Sequence, residues 1–526
     1  MEGTIFSLLP PFIAILMVVL TRKVLLSLGV GILAGGLVLT EFSIGETIQK
    51  IWGSFATIFY ADGAINTSNL FILLFLLILG VITAFISIIG GSRAFGEWAL
   101  KRIKTRRGAH LLTAVLGIII FIDDYFNALA VGQVSRPVTD RQRISRAKLA
   151  YLIDSTSAPV CVIAPFSSWG AYIITVVGSI LAAHGMNNVS AFSAFVQMIP
   201  MNFYVFTALI MVFIVSVFDI NIGPMKKHEE HAIRTGEVTD PEKGAVPGEL
   251  KEDLPVSKNG RVFDLILPII VLMIGTIGAM LWTGYQATEG QATIFTMFEN
   301  TNVPNSLMIG GLSGLVVTLL LFIVRTRQSS ELSNSVLGKG IVAGIKSMLP
   351  AIYILLLAWM IGDLIGQLKS GEFLAGIVES SNLNIAFLPV VLFVIAGIMA
   401  FSTGTSWGTF GIMLPIAGDI VGNIEPELLL PALAAVLAGS VCGDHCSPIS
   451  DTTILSSTGA GSHHIDHVMT QLPYAIISAV ISIIGYVVLG LTESTSAGFG
   501  TVMALLVVFV LVARKKGNIT EASLEK

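Results

Sequence analysis

Long apolar runs alternate with short polar loops along the whole chain. A helix needs about 20 predominantly apolar residues to cross a bilayer. Runs near that length lie at roughly 5–20, 24–40, 69–91, 149–183, 200–222, 262–284, 305–324, 349–368, 428–460, 471–491 and 497–513. Amphipathic stretches near 44–58 and 331–348 are predicted to lie along the membrane interface. Residues 223–261, rich in Lys, Glu, Pro and Gly, read as a flexible linker between two halves. The pattern predicts an all-α polytopic membrane protein.

Charge placement sets the sides. Lys and Arg mark cytoplasmic loops, and they gather at Arg22-Lys23, Arg93 to Arg107, Arg136 to Lys148, the linker, Arg325 to Arg327, and Arg514 to Lys516. Loops at 184–198, 285–304, 418–427 and 492–496 carry neither residue. Alternation fails at one place. Arg107 and Arg136 both belong inside, yet 28 residues separate them, and two crossings need about 40. Residues 109–132 are therefore predicted to enter and return as a re-entrant hairpin with Asp123-Asp124 near its tip. A matching hairpin at 385–417 enters from the other side. Eleven crossings and two hairpins follow, in a bacterial-type inner membrane, with the N-terminus outside and the C-terminus cytoplasmic.

Composition agrees with this reading and excludes others. The chain is 54% hydrophobic and 12% charged, about half the charged share of a soluble domain. It has no basic domain that could hold nucleic acid. Cys161, Cys442 and Cys446 lie in membrane stretches, which argues against a disulfide framework. The first run has no positive n-region and contains Pro10-Pro11, so it reads as a span and not as a cleaved signal peptide.

The chain also resembles itself. A shift of 280 residues pairs Gly91 with Gly371 and Phe121 with Phe401, and so superposes the two hairpins. After a short gap, Asp154 to Pro159 falls on Asp444 to Pro448, and Ser167-Ser168-Trp169-Gly170-Ala171 on Ser456-Ser457-Thr458-Gly459-Ala460. Matched crossings run in opposite directions. The predicted organisation is a first half at 1–222, with its hairpin and a broken helix at 149–183. The linker follows, then an inverted second half at 262–491 with a broken helix at 428–460, then a final helix and tail at 492–526. Inverted halves with interrupted helices at matching positions point to a transporter with a site near the bilayer midplane.

Ionisable groups at that depth cost about 2.5–3.5 kcal/mol each, so each needs a reason. Asp123 and Asp124, with Asn127, would repel at a hairpin tip unless a cation or shared proton held them. Asp154 stands with Ser155, Ser157 and Pro159, where an unwound helix would expose carbonyls beside hydroxyls and a carboxylate. Gly443 to Thr453 packs Asp444, His445, Ser447, Ser450, Asp451 and Thr452 around Pro448. A zinc site at Cys442, His445 and Cys446 lacks a fourth ligand, and none is expected. The second tip, Phe401 to Thr409, offers Thr403, Thr405 and Ser406 where the first has carboxylates. Ser167, Ser168, Trp407, His445, Ser456 and Ser457 are candidates for contact with a solute. Asp363 is a weaker candidate, and His463 to His467 reads as a solvated cytoplasmic edge.

The motifs Ile122 to Phe126, Asp154 to Pro165, Ser402 to Phe410 and Gly443 to Thr453 resemble the NhaC-type sodium/proton antiporter family, related to the ion-transporter superfamily. The resemblance spans about residues 5 to 513. It implies two hairpins and two broken helices in a moving domain, elevator-like alternating access and a homodimer. Relatives exchange Na⁺ for H⁺ or couple either ion to organic acids or amino acids.

The expected function is Na⁺/H⁺ antiport, with Na⁺ and H⁺ alternating at Asp123, Asp124, Asp154, Asp444 and Asp451 and the hydroxyls completing the coordination. The alternative is Na⁺- or H⁺-coupled transport of an amino acid or organic carboxylate. No cofactor is expected beyond the transported ions. A membrane enzyme is the third reading, but the histidines lack His-Glu-x-x-His spacing and no nucleophile–base pair stands out.

Overall fold

The computed structural model describes the chain apart from residues 22, 62, 122, 166, 187–188, 241–242, 244–245, 247–254, 289–290, 329–334, 371–372, 374–375, 377–383, 423–425 and 516–526. Gly371, most of the second part of the linker and the start of the 331–348 stretch lie outside the described residues. The remainder is helical, with one short antiparallel ladder pairing Tyr60–Ala61 with Ala64–Ile65. Eight described helices are long and apolar enough to cross a membrane, nine when a bent pair is counted as one span. The molecule is an all-α polytopic membrane protein.

The chain opens with α1 (Leu9–Thr21), α2 (Val24–Leu39) and α3 (Ile44–Phe59), which pack on one another. Ile44, Ile48 and Trp52 stay exposed on α3, the apolar face expected of an interfacial helix. Next come α4 (Thr67–Ile88) and α5 (Gly91–Arg102). The first hairpin is α6 (Arg106–Ile119) and α7 (Asp124–Arg141), followed by the broken helix α8 (Arg146–Cys161) and α9 (Ser168–Ala183). Helices α10 (Ala191–Met198) and α11 (Phe203–Phe218) form the bent pair, at 53°. Helix α12 (Pro224–Thr235) opens the linker.

The second half begins with α13 (Phe263–Ala287), α14 (Ile294–Glu299), α15 (Val303–Gln328) and α16 (Ser335–Gln367). A second hairpin, α17 (Leu388–Thr403) and α18 (Ser406–Gly422), precedes the broken helix α19 (Leu429–Cys446) and α20 (Asp451–Ala460). Helices α21 (His464–Thr492) and α22 (Thr495–Lys515) end the described chain.

Two groups of helices result. Helices α4, α13, α15 and α16 pack against each other, with Phe85 and Phe322 edge to face at 4.9 Å. The hairpins, the broken helices and α21 form the other group. Both ends of the first hairpin meet: Gln142 Nε2 donates to the Ile103 carbonyl at 3.0 Å, and Arg106 Nη1 to the Arg143 carbonyl at 2.7 Å. The segment thus returns to the level at which it entered. The second hairpin starts at the far end of α21, where Gly490 leaves room for the Ala386 carbonyl. The near end of α21 holds the linker, through Lys243 Nζ and Asp466 Oδ1 at 2.7 Å. The hairpins therefore enter from opposite ends of α21, and their tips meet between.

Three expectations need correction. The linker is not wholly flexible, because α12 inserts the buried Glu229 against Arg106 and against the Ser145 amide, which donates to it at 2.8 Å. The 331–348 stretch does not lie on the interface. Its described part continues into α16 as one 33-residue helix. Gly344 explains why, since a Cβ there would stand 2.5 Å from the Val81 Cα, and the close approach turns this face into core against α4. Lys148, read as part of a basic loop, is buried and donates to the Ile220 carbonyl at 3.0 Å and to Asn221 Oδ1 at 2.7 Å.

The second hairpin depends on backbone contact with α19. A Cβ on Gly443 would lie 2.0 Å from the Gly397 carbonyl oxygen and 2.7 Å from the Phe401 nitrogen. Gly443→Ala is expected to destabilise the purified protein by about 1–3 kcal/mol, read as a lower thermal midpoint in detergent. Gly500→Ala, which meets nothing within 4 Å, should leave that midpoint unchanged.

Candidate cation site

The first tip is built by two side chains that satisfy free helix ends. Asp123 caps α7, its Oδ1 accepting from the Phe126 amide at 3.0 Å. Asn127 Nδ2 donates to the carbonyls of Gly117 and Ile120, each at 2.6 Å, and so closes the exposed end of α6. Asp124 is then presented at the first turn of α7. Its Oδ1 accepts from Trp169 Nε1 at 2.8 Å, while its buried Oδ2 has no hydrogen-bond partner among the described residues. Asn127 Oδ1 is left in the same condition.

The second tip is formed where α17 ends on Gly404, which has φ of +72° and whose Cβ would strike the Ile449 carbonyl at 2.5 Å. Only glycine meets both demands. This seats the tip on the break between α19 and α20, at residues 447–450, where the sequence placed Pro448. Ser406 Oγ donates to Asp444 Oδ2 at 2.8 Å, and Ser447 Oγ to the Phe401 carbonyl at 2.7 Å. Ser450 caps α20, with Thr452 Oγ1 2.9 Å from its hydroxyl. Asp444 Oδ1 is buried without a partner. Thr403 Oγ1 bonds within its own helix, to Met399 at 2.9 Å.

Asp451 links the second break to the first tip. Its Oδ1 accepts from the Thr452 amide at 2.8 Å, and its Oδ2 accepts from the hydroxyl of Tyr125, on the first hairpin. A cavity of about 580 Å³ lies here, lined by Asp123, Asp124 and Tyr125 from one tip, Thr405 and Trp407 from the other, and Asp451. Ser68 and residues 301–304 form its other wall, so it sits at the boundary between the two helix groups. A second cavity, of about 300 Å³, shares Thr405 and Asp451 and reaches Asp363.

Asp154 lies elsewhere. The helix does not unwind around it. Pro159 is accommodated inside α8, and the break falls later, at residues 162–167. The hydroxyls of Thr156 and Ser157 bond to carbonyls of Leu152, Ile153 and Asp154 within the same helix. The Asp154 carboxylate accepts from Thr453 Oγ1 at 3.2 Å, Ser456 Oγ at 3.0 Å, His467 Nε2 at 3.1 Å and Gln471 Nε2 at 2.6 Å. The same amide nitrogen of Gln471 donates to the His445 carbonyl at 2.5 Å. The His445 ring bridges Ser155 Oγ at 3.0 Å and the Tyr204 hydroxyl at 2.8 Å.

The remaining candidates divide accordingly. Trp407 lines the cavity, whereas His445, Ser456 and Ser457 belong to the buried network, Ser457 with His464 at 3.2 Å. Ser167 caps α9 and bonds to the Cys161 carbonyl at 2.6 Å. The side chain of Ser168 lies outside the described residues. His464 and His467 are buried, which corrects the solvated edge expected there. Tyr125, Trp169, Tyr204, His467 and Gln471 were missed as partners. Trp169 lies in the repeated Ser167 to Ala171 stretch and His467 in the histidine cluster, but neither pattern names Asp124 or Asp154 as its partner. A third polar group, His110 with Asp219 and Glu229, brings ligand-type atoms within 4.8 Å of one another, but Arg106 already pairs with both carboxylates.

Comparison with known proteins gives this geometry a family. A family model described as the Na⁺/H⁺ antiporter family matches residues 160–491. The chain belongs to the Na⁺/H⁺ antiporter family. A protein of Haemophilus influenzae described only as uncharacterized is 48% identical over 518 residues, covering 98% of this chain and 96% of its own length. An uncharacterized Na⁺/H⁺ antiporter of the same organism is 36% identical over 158 residues, 29% of this chain and 32% of that protein. The malate-2H⁺/Na⁺-lactate antiporter of Bacillus subtilis is 31% identical over 204 residues, 37% of this chain and 40% of its own. The family is one of transporters. Its match takes in the second tip and the Gly443 to Thr453 break, while Asp123, Asp124 and Asp154 precede it.

Removing Asp154 would strand four buried donors, each costing about 1–3 kcal/mol. Asp154→Ala is expected to lose folded protein outright, or to lower the thermal midpoint of what folds far more than Asp363→Ala does. Fluorescence-detected size exclusion with a melting series in detergent checks this.

Proposed function

We propose that this antiporter exchanges Na⁺ against H⁺ at Asp123, Asp124 and Asp451, with Asp444 behind them, and that Asp154 serves as the anchor of the site. The observation that carries this reading is the pair of orphan oxygens, Asp124 Oδ2 and Asp444 Oδ1. One belongs to the first hairpin and the other to the second broken helix. A buried carboxylate oxygen without a donor is costly until a proton or a cation reaches it. Asn127 Oδ1 of the first tip, the hydroxyls of Thr405 and Ser406 at the second, and those of Ser450 and Thr452 at the second break are hard oxygen ligands that suit Na⁺. Protonating a carboxylate removes the charge that holds Na⁺, so the two ions compete. Alternating access turns that competition into exchange.

The position of the cavity supports movement of one helix group against the other. Tips and broken helices move together in this reading, fixed to each other by Asp154, while α4, α13, α15 and α16 stay in the membrane frame. The cavity opens beside residues 301–304, remote from the linker, which fits a site facing away from the cytoplasm. No Lys, Arg or His stands among the described lining residues, so a dicarboxylate would find no counter-charge there.

Proteoliposomes holding a pH-sensitive dye provide the test. A Na⁺ pulse should drive proton movement in the wild type. Asp451→Asn and Asp124→Asn should each cut it at least about 100-fold, the loss of roughly 2.7 kcal/mol of ion stabilisation. The apparent KM for Na⁺ should rise as pH falls, because protons occupy the same oxygens. Undiminished flux in both variants would remove these carboxylates from the exchange.

A further inference from the structure

The cavity at the tips is much larger than an inorganic ion requires. Its volume of about 580 Å³ lies in the range of organic-ligand pockets, roughly 300–1,000 Å³. Its walls also differ in kind. One side carries the carboxylates of Asp123, Asp124 and Asp451, and another carries the rings of Trp407 and Tyr172. Those rings lie 4.9 Å apart, centroid to centroid, and Trp169 meets Trp407 edge to face at 5.8 Å. Trp169 is also the donor to Asp124 Oδ1. Trp169 therefore fixes the carboxylate whose second oxygen is buried without a partner among the described residues.

We infer that this cavity also takes an organic ammonium ion, its charge at Asp124 and Asp451 and its carbon chain against Trp407 and Tyr172. The inference rests on reading the cavity as the transport site. An ammonium group offers three donors and no acceptor, the complement of the Asp124 oxygen that has no donor among the described residues. Aromatic faces attract such cations and shelter their methylenes, a wall of no use to Na⁺ alone. Anions are disfavoured, because three carboxylates face them and no cationic side chain stands among the described lining residues. Zwitterions meet the same repulsion at their carboxylate end. The preferred solute carries a net positive charge. Since it uses the oxygens proposed for Na⁺ and H⁺, it competes with both and is exchanged against them.

The full-length protein in liposomes tests this, with cadaverine as the diamine probe, n-butylammonium as the monoamine and succinate as the anion. Cadaverine and n-butylammonium should inhibit Na⁺-driven proton flux competitively, and labelled cadaverine should accumulate against an outward Na⁺ gradient. Succinate should do neither. Trp407→Ala should raise the half-saturating cadaverine concentration about tenfold or more, and that for Na⁺ less than about threefold. Trp407→Phe should restore cadaverine to within about threefold of wild type. Na⁺-driven flux that persists while no amine inhibits or enters would overturn the ammonium inference and leave the exchange reading standing. Uptake of succinate in place of the amines would overturn it too. Absence of any Na⁺-driven flux in the wild type would instead sink the exchange reading on which it rests.

Discussion

Asp154 is a carboxylate on α8 with four hydrogen bonds from α20 and α21, and it is wholly enclosed in protein. Its donors sit about 300 residues away along the chain, so this one group binds the first broken helix to the second. In a bilayer the attraction between apolar surfaces does not hold helices together, and polar contacts and close packing must do it. A carboxylate met by four donors is such a contact. It also aligns the two breaks, since Thr453 and Ser456 belong to the helix that Asp451 begins. The placement of Asp451 opposite Tyr125 follows from that alignment.

Satisfied and unsatisfied oxygens then divide the buried acids into two kinds. Asp154 accepts four hydrogen bonds, three at Oδ2 and one at Oδ1. Asp124 and Asp444 each spend one oxygen on a positioning bond, from Trp169 and from Ser406, and leave the other without a partner among the described residues. A site that must bind and release needs this arrangement, because the positioning bond keeps the group in place while the free oxygen changes partners. Burial alone does not separate the two kinds, as all three carboxylates are nearly inaccessible. The donor inventory does.

Much of this was legible in the chain, and the part that was not has a common cause. Counting charges between Arg107 and Arg136 predicts a hairpin at 109–132; the structure has α6 and α7 there, and α7 runs on to Arg141 with Arg136 inside it. Pro448 is a local signal, and the gap between α19 and α20 includes it. Pro159 misled, since the helix continues through it to Cys161. The break moved to residues 162–167, and Asp154 passed from the predicted unwound site into a regular helix. His467 and Gln471 were unreadable as partners of Asp154 because that pairing depends on where α21 packs. The 331–348 stretch has the amphipathic pattern of an interfacial helix, and its glycine contacts with α4 place the face of Val336, Gly340, Ala343 and Gly344 inside.

Tyr125 couples the first tip to the second break. Its hydroxyl bonds to Asp451, which begins α20, so the first hairpin touches the second broken helix at the cavity. Under the proposed exchange, a cation entering between Asp124 and Asp451 would compete for the oxygen that Tyr125 holds. Occupancy would then be tied to that contact through one hydrogen bond. A site enclosed within a single helix pair would lack that connection. The shared cavity supplies it because each half contributes an interrupted helix and neither can close the site alone.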